Sequence, residues 1–438
     1  MKWHAAYAWL PDGLARDVNI EERDGTFSDV GIGVVPDDHV RLPGLVVPGM
    51  ANAHSHAFHR ALRGRTSSSR GSFWTWRRQM YRLAARIDPE QMFLLARAVY
   101  AEMVSAGITV VGEFHYLHHS PTGQPYDEPN IMGEALQQGA VEAGVRLTLL
   151  DACYLMGGLA ATGHEELDPV QRRFSDGDVA RWASRVEALR PTHEMSLGAA
   201  IHSVRAVPRE FLGAVAEAAG DGPLHFHVSE QRAENDACEG FYGMTPVQLL
   251  RTTGALGNTS TAVHATHVSS IDVAGLADTK TAVCFCPTTE RDLGDGIGPA
   301  RVFADAGVSL CLGSDQHVTV DLLEEARALE MDERLATEER GRFDQQELIA
   351  AMTVAGYRAL GREGGRIEVG APADLVALRL DTVRTAGAEP GQAVLAASAS
   401  DVDTVVIDGR TVVSGGAHFL GDVGRLLADA IDPLWSED

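Results

Sequence analysis

The chain has 438 residues, of which 45% are hydrophobic and 22% are charged, a composition typical of folded proteins and unlike that of disordered chains. Its formal net charge of −24 argues against nucleic acid and anionic membrane surfaces as partners, because both would repel an acidic protein. The first stretch, MKWHAAYAWLPDG, has no secretory signal pattern, and no apolar run is long enough to span a bilayer, so we expect a cytoplasmic protein.

Eight apolar segments rich in β-branched residues recur along the chain, and each predicts a strand. They are residues 45–53, 109–117, 146–155, 196–204, 224–230, 261–268, 281–287 and 309–315. Between them, apolar residues at three- and four-residue spacing predict helices, among them 89–107, 129–144, 208–220 and 245–256. Strands that alternate with helices form parallel sheets, and eight such units predict an α/β fold, a (β/α)8 barrel over residues 46–364.

The two ends of the chain have a different pattern. Residues 1–45 and 365–438 hold short strand-like pieces separated by turn residues, and the Asp-Gly pair at 408–409 is a hairpin signal. We expect the two ends to pair into one small composite β-sheet domain beside the barrel.

The stretch PGMANAHSHAFHRALRG, residues 48–64, places His54 and His56 one residue apart at the end of the first predicted strand. Side chains at i and i+2 of an extended chain point to the same side. The two imidazoles would therefore converge on one point, as two ligands of a single metal ion must. Taken alone, the pair is equally compatible with chance.

Further polar residues lie near the ends of other predicted strands. They are His202 in the fourth, His225, His227 and Glu230 in the fifth, His264 and His267 in the sixth, and Asp315 in the eighth. In a (β/α)8 barrel the C-terminal strand ends form the active-site face. Each histidine singly would be interpreted as a hydrogen-bonded core residue, but the whole set predicts a metal-dependent catalytic site.

We predict a metal site made of His54, His56, His227 and Asp315. His227 is preferred to His225 because it lies nearer the strand end, and His225 is expected to pack in the barrel wall. Three imidazoles and one carboxylate suit one Zn²⁺ ion, with Fe²⁺ as the alternative. Zinc lowers the pKa of a bound water toward 7 and so produces a nucleophile at neutral pH.

The motifs follow one order along the chain: H-x-H at strand one, HVSE at 227–230, HATH at 264–267 and GSD at 313–315. This order resembles the aminohydrolase branch of the amidohydrolase superfamily. Within that branch, the strings that resemble the formimidoylglutamate deiminase family are NAHSHAFHRALRG, FWTWR, EFHYLHH, AIHSVRAV, HVSEQ and CPTTERDLGDG. The resemblance covers nearly the whole chain. It implies zinc-dependent hydrolytic deamination of N-formimino-L-glutamate to N-formyl-L-glutamate and ammonia in histidine degradation.

Lysine occurs only at Lys2 and Lys280. Binuclear members of the superfamily bridge their two metal ions with a carboxylated lysine from strand four. Because no lysine lies between His56 and His227, we expect a single metal ion. A bridging glutamate is the alternative, for which the sequence offers no clear candidate.

Proton transfer needs groups beside the nucleophile. Glu230, three residues beyond His227, is placed to carry a proton from water to the leaving nitrogen. Asp315 can take the second proton. The resemblance assigns polarisation of the nucleophile to His264, with His267 as the alternative.

A small dianionic substrate needs fixed donors, and the arginine fork matches a carboxylate. The resemblance implies that Arg77, Arg205, Tyr116 and His202 hold the glutamyl part. His59 departs from the family pattern, which often has glutamine in the form HAFQR and uses it to contact substrate. We expect His59 to supply a hydrogen bond in its place.

Two other interpretations stay open. A guanine or related heterocycle deaminase of the same branch would bind a flat, largely uncharged substrate, against which the arginines Arg77 and Arg205 argue. A catalytically inactive metal-binding or scaffolding protein would have no need of Glu230. From the resemblance we also expect a homodimer.

Overall fold

The computed structural model describes residues 1–66 and 73–436. Its strands are β1 (Lys2–Leu10), β2 (Gly13–Arg23), β3 (Thr26–Ile32), β4 (Val40–Pro48), β5 (Met50–Ser55), β6 (Ile108–His115), β7 (Arg146–Cys153), β8 (Gly158–Ala160), β9 (Gly163–Glu165), β10 (Met195–Ile201), β11 (Leu224–Val228), β12 (Ser260–His264), β13 (Ala282–Phe285), β14 (Leu310–Leu312), β15 (Leu375–Leu378), β16 (Val402–Ile407), β17 (Arg410–Ser414) and β18 (Ala417–His418).

The α-helices are α1 (Phe73–Ala84), α2 (Pro89–Ser105), α3 (Ile131–Ala143), α4 (Val179–Ala188), α5 (Arg209–Ala219), α6 (Arg232–Tyr242), α7 (Pro246–Thr252), α8 (Ser270–Thr279), α9 (Pro287–Leu293), α10 (Ala300–Asp305), α11 (Leu322–Thr337), α12 (Gln345–Met352), α13 (Val354–Ala359) and α14 (Val423–Trp435). Short 3₁₀ helices cover Ala57–Leu62, Gln171–Phe174, Pro390–Leu395 and Ala399–Asp401.

Eight parallel strands form the barrel, in the order β5, β6, β7, β10, β11, β12, β13 and β14. A parallel bridge between Ser55 and Asp315 joins the last segment to the first. There the Asp315 amide donates to the His54 carbonyl at 3.0 Å, and the His56 amide donates to the Asp315 carbonyl at 3.2 Å. This closure confirms the predicted (β/α)8 barrel and brings the ends of the first and last strands together.

Local sequence explains the elements of the barrel. Every residue of β6 and β7 is buried, because strands covered by helices on one face and by the barrel core on the other have no solvent side. Helix α2 begins with a capping box in which Asp88 and Gln91 satisfy each other's backbone amides, and with Pro89 in the first turn.

The second large sheet combines both ends of the chain. Its order is β18, β17, β16, β15, β4, β1, β2, β3, and β4 pairs with β1 on one side and β15 on the other. Its own core includes Trp3, Ile20, Phe27, Ile367 and Leu375. The composite β-sheet domain is thus confirmed.

The predictions for the first and the sixth barrel strand need correction. The segment 45–53 is two strands in two sheets, because the chain crosses from one sheet to the other at Gly49. A Cβ at Gly49 would lie 2.4 Å from Oγ1 of Thr109, so only glycine fits there. The terminal sheet therefore runs to Pro48, past the expected boundary at residue 45.

The sixth strand stops at His264, short of the predicted residue 268. His264 and Ala265 have φ angles of 69° and 47°, a left-handed conformation that no strand can continue through.

The C-terminal segment also differs from a pure sheet, since α14 packs against α2 of the barrel and Trp435 Nε1 donates to the Ala61 carbonyl at 2.9 Å.

All five cysteines are buried free thiols. Among the described residues, the structure has no helix with the length and apolar character required to cross a bilayer.

Candidate metal centre and active site

Four buried side chains from three separate strand ends converge at the C-terminal mouth of the barrel. His54 and His56 come from the end of β5, His227 from β11, and Asp315 from the turn after β14. Nε2 of His227 lies 3.1 Å from Nε2 of His54 and 3.3 Å from Nε2 of His56. The Asp315 Oδ1 atom is 3.5 Å and 3.4 Å from the same two atoms of His54 and His56.

The hydrogen bonds of these histidines show whether a cation fits. Nδ1 of His56 donates to the Phe114 carbonyl, and Nδ1 of His227 donates to the His202 carbonyl, both at 2.8 Å. Burial lowers the pKa of both imidazoles, so each is neutral and its Nε2 presents a lone pair. Lone pairs this close repel one another unless a cation lies between them. The residues therefore fit a divalent metal ion, with an N₃O donor set of the kind that zinc prefers.

Asp315 completes the cluster as a carboxylate. Burial alone would raise its pKa, but the imidazoles of His54, His56 and His264 hold it well below the usual range. Its backbone is left-handed, with a φ of 41°. Asn52 Oδ1 accepts from the Ser314 amide at 2.9 Å, which ties the two strand ends together and supports this conformation.

His264 lies beside the cluster, between three carboxylates. Its Nε2 is 3.8 Å from Oε1 of Glu230 and 3.7 Å from Oδ2 of Asp315, and its Nδ1 is 3.3 Å from Oε1 of Glu290. Burial opposes the charged imidazolium, but the carboxylates outweigh it and raise the pKa of His264 to about 10. His264 is thus a hydrogen-bond donor on both nitrogens.

Glu230 follows the end of β11 and turns its carboxylate into the mouth of the barrel. The turn is made by Ser229, whose φ is 53°. The Glu230 amide donates to Oε2 of Glu234 at 3.3 Å, and Oε2 of Glu230 is 3.5 Å from Nη2 of Arg205. A buried carboxylate beside the metal cluster is suited to proton transfer.

One cavity contains the predicted substrate groups and opens onto the cluster. Its lining includes His59, Arg77, Tyr116, His202 and Arg205, together with His56, His227, Glu230, His264 and Asp315. Nε2 of His59 is hydrogen-bonded to the Tyr116 hydroxyl at 2.8 Å. Arg77 donates to the Gly157 carbonyl at 3.0 Å and to the Tyr81 hydroxyl at 2.6 Å. The structure thus brings together every residue of the predicted site.

The sequence model of the protein family described as the amidohydrolase family matches residues 45–412. The chain belongs to the amidohydrolase family. It is 38% identical over 434 residues to a formimidoylglutamate deiminase of Pseudomonas aeruginosa, covering 94% of this chain and 95% of that protein. It is 28% identical over 399 residues to an 8-oxoguanine deaminase of the same organism, covering 88% of this chain and 85% of that protein.

Among solved structures, an amidohydrolase from Brucella melitensis matches with a TM-score of 0.92 and 34% identity, over 99% of this chain and 100% of that one. The resemblance inferred from the motifs is confirmed. As an amidohydrolase with deaminase relatives, the chain is a hydrolase that acts on C–N bonds by hydrolytic deamination.

Two histidines near the centre of this amidohydrolase stay outside the site. His225 is buried in the barrel wall, where its Nε2 donates to the Ala359 carbonyl at 2.8 Å. His267 lies beyond the left-handed turn at His264, is partly exposed and does not line the cavity. His264 alone of the HATH pair therefore faces the cluster.

The sequence analysis did not identify several residues that the structure places in the amidohydrolase site. Tyr154 lines the cavity from the end of the third barrel strand, a position that could have been inferred from its place after RLTLLDAC. Tyr81 reaches the cavity from α1, and no local signal indicates this. Glu290 lies in the CPTTER string, but only the folded chain shows that it contacts His264.

A second cluster, formed by His115, His118 and Asp151, also has ligand atoms within 4.8 Å of one another. Arg185, however, donates to both Asp151 oxygens at 2.8 Å, and Trp182 Nε1 donates to one of them at 2.9 Å. The carboxylate is occupied by a cation already, so this cluster is a buried ion-pair network and unsuited to metal.

Proposed function

We propose that this amidohydrolase converts N-formimino-L-glutamate and water to N-formyl-L-glutamate and ammonia in histidine degradation, using one Zn²⁺ ion. The observation that carries the proposal is the shared cavity: two arginines, Arg77 and Arg205, line the same space as the His/Asp cluster. A dianionic substrate with a formimino group at one end matches that arrangement. The 38% identity to a formimidoylglutamate deiminase supports it.

The metal would be held by His54, His56, His227 and Asp315. A Zn²⁺ ion bound there would supply Lewis acidity and lower the pKa of a neighbouring water, which makes that water a nucleophile at neutral pH. The choice of zinc over Fe²⁺ rests on the donor set of three imidazoles and one carboxylate.

Glu230 is the proton carrier of the proposal. Its carboxylate accepts a proton as water attacks the formimino carbon and delivers it to the nitrogen that leaves as ammonia. His264, 3.8 Å from Glu230, donates a hydrogen bond to the oxygen that attacks. Asp315 takes up the second proton of the water as the C–N bond breaks and passes it to the departing nitrogen, which leaves as ammonia.

The glutamyl part would be held by the far side of the cavity. Arg205 and Arg77 supply the positive charges that a dianion needs inside a protein whose net charge is −24. Tyr116 and His202, whose rings lie 5.2 Å apart, form one wall, and His59 supports Tyr116 through the hydrogen bond between them.

The experiment is ammonia release by the zinc-loaded protein from N-formimino-L-glutamate, guanine and N-guanidino-L-glutamate, tested in parallel. Release from the formimino compound alone, abolished in Glu230→Gln, is the expected result. Turnover of guanine in its place would retain the hydrolytic chemistry and overturn the substrate, in line with the 28% identity to an 8-oxoguanine deaminase. The homodimer stays a prediction, which light scattering of the purified protein would test.

A further inference from the structure

Arg205 contacts the proposed proton carrier and lines the substrate cavity. Its Nη2 lies 3.5 Å from Oε2 of Glu230, and its Nε lies 4.0 Å from Oε2 of Glu234. The side chains of Glu230 and Glu234 are 7% and 0% exposed, whereas that of Arg205 is 16% exposed, on the cavity side. The guanidinium is thus sandwiched between two buried carboxylates and the space where substrate would bind.

This pairing opposes the function of Glu230. A guanidinium that faces a carboxylate oxygen competes for the lone pair with which that oxygen would accept a proton. The two oxygens of Glu230 face Arg205 on one side and His264 on the other, at 3.5 Å and 3.8 Å. Arg205 therefore occupies the side of Glu230 on which Oε2 would otherwise accept the proton of an attacking water.

A carboxylate of the substrate would compete for the same guanidinium. We propose that the substrate's own carboxylate draws Arg205 away from Glu230 and thereby releases Glu230 for proton transfer. This inference rests on the proposed function, because it assigns Arg205 to the glutamyl part of the substrate. The acidic end of the substrate then activates the chemistry at the formimino end.

Glu234 provides the fixed support that such a movement needs. Its Oε2 already faces Arg205 and accepts from the Glu230 amide, while its Oε1 is buried with no hydrogen-bond partner in the part of the chain that the structure describes. A guanidinium carries five donors in a rigid fork. Arg205 can therefore stay paired with Glu234 while the donor that faces Glu230 turns to the substrate, without a change in the backbone.

The consequence concerns specificity. A formamidine without a carboxylate would still meet the metal cluster, but Glu230 would remain paired, so kcat would fall in addition to the rise in KM from the lost carboxylate contacts. An arginine that only binds substrate would raise KM for such a compound and leave kcat unchanged.

The test supplies the two halves of the substrate separately to the zinc-loaded wild-type protein. The formimino half is N-methylformamidine, and the acidic half is propionate, with neutral propionamide as the matched control. We expect propionate to raise kcat for N-methylformamidine by about tenfold, the value of one charge-assisted hydrogen bond, and propionamide to have no effect. Equal rates with and without propionate, or inhibition by it, would overturn the inference.

Two variants connect the effect to the residue. Arg205→Gln should lose the activation of N-methylformamidine turnover by propionate. Arg209→Gln, which changes an exposed arginine four residues further on, should keep the activation. If N-formimino-L-glutamate itself releases no ammonia, the proposed function is wrong. If it releases ammonia but propionate has no effect on N-methylformamidine, the proposed function stands and only the release of Glu230 by substrate is wrong.

Discussion

The Nε2 atoms of His56 and His227 lie 3.3 Å apart, and both present lone pairs to the same point. Each ring is fixed in this tautomer because its Nδ1 donates to a backbone carbonyl, of Phe114 in one case and of His202 in the other. Such an arrangement is unfavourable by itself and favourable around a cation. The backbone of the barrel therefore holds both rings in the orientation that metal binding requires.

Metal content should depend on His227 and be independent of His225, although both are buried histidines of β11. We expect His227→Asn to lower the affinity for zinc by at least about 100-fold, since it removes a lone pair from the cluster. His225→Asn should leave zinc bound, because its ring contacts only the barrel wall. Zinc in the two purified variants can be measured by mass spectrometry. Equal zinc content in both would contradict the ligand assignment.

Activity should depend on Glu230 without a change in metal content. Glu230→Gln keeps the size of the side chain and removes its basicity, so kcat should fall by about 10²–10⁴-fold. Zinc content and thermal unfolding should match those of the wild type, since Glu230 is no ligand of the cluster. A fall in zinc content together with kcat would mean that Glu230 acts on the metal site instead.

The proposed role of Arg77 in binding substrate can be tested by comparing a variant of Arg77 with the same variant of its exposed neighbour Arg78. Arg77→Met removes one charge from the cavity, so KM for N-formimino-L-glutamate should rise about 10- to 100-fold, as expected for a hydrogen bond to a charged group. Arg78→Met should leave KM unchanged. If both variants raise KM alike, the effect is one of overall charge and the assignment is wrong.

His59 should be replaceable by glutamine, the residue that the resemblance places there. The side-chain amide introduced by His59→Gln can make the bond to the Tyr116 hydroxyl that the imidazole Nε2 makes now, so KM should change less than about threefold. His59→Leu fills similar space with no polar atom and should raise KM by about tenfold. Steady-state kinetics of both variants decides whether the hydrogen bond or the ring is needed.

Arg185 should stabilise the fold in a pH-dependent manner. Burial would raise the pKa of Asp151 and Asp176, but Arg185 and the neighbouring histidines hold both below their usual range. The stability from a lowered carboxyl pKa is full above its unfolded value of about 3.9 and is lost as pH falls below it.

In Arg185→Gln the two buried carboxylates lose their partner, so the free energy of unfolding should fall by about 3–5 kcal/mol at pH 7. Their pKa values would then rise, and protonation would restore part of the loss. The difference from the wild type in urea unfolding should therefore shrink between pH 7 and pH 4. Arg181→Gln, at an exposed ion pair with Asp178, should change stability by less than about 1 kcal/mol at either pH.

How far the sequence predicts the site depends on where each residue lies. His54, His56 and His227 were predictable because side-chain alternation and the position of the strand end are both readable from local sequence. Arg77 and Tyr116 were identified only through resemblance to a family. Glu290 and Glu234 were missed, because nothing local shows that a helix residue faces a strand end.

The sequence by itself determined the barrel, the composite sheet and the chemical types of the metal ligands. These follow from hydrophobic periodicity and from polar residues at strand ends, which depend on a few neighbours in the chain. Only the tertiary structure decided that His264 and not His267 faces the cluster, and that Arg205 lies against Glu230. The first depends on a left-handed turn at the end of β12. The second depends on a contact between side chains 25 residues apart, which exists only once β10 and β11 have paired.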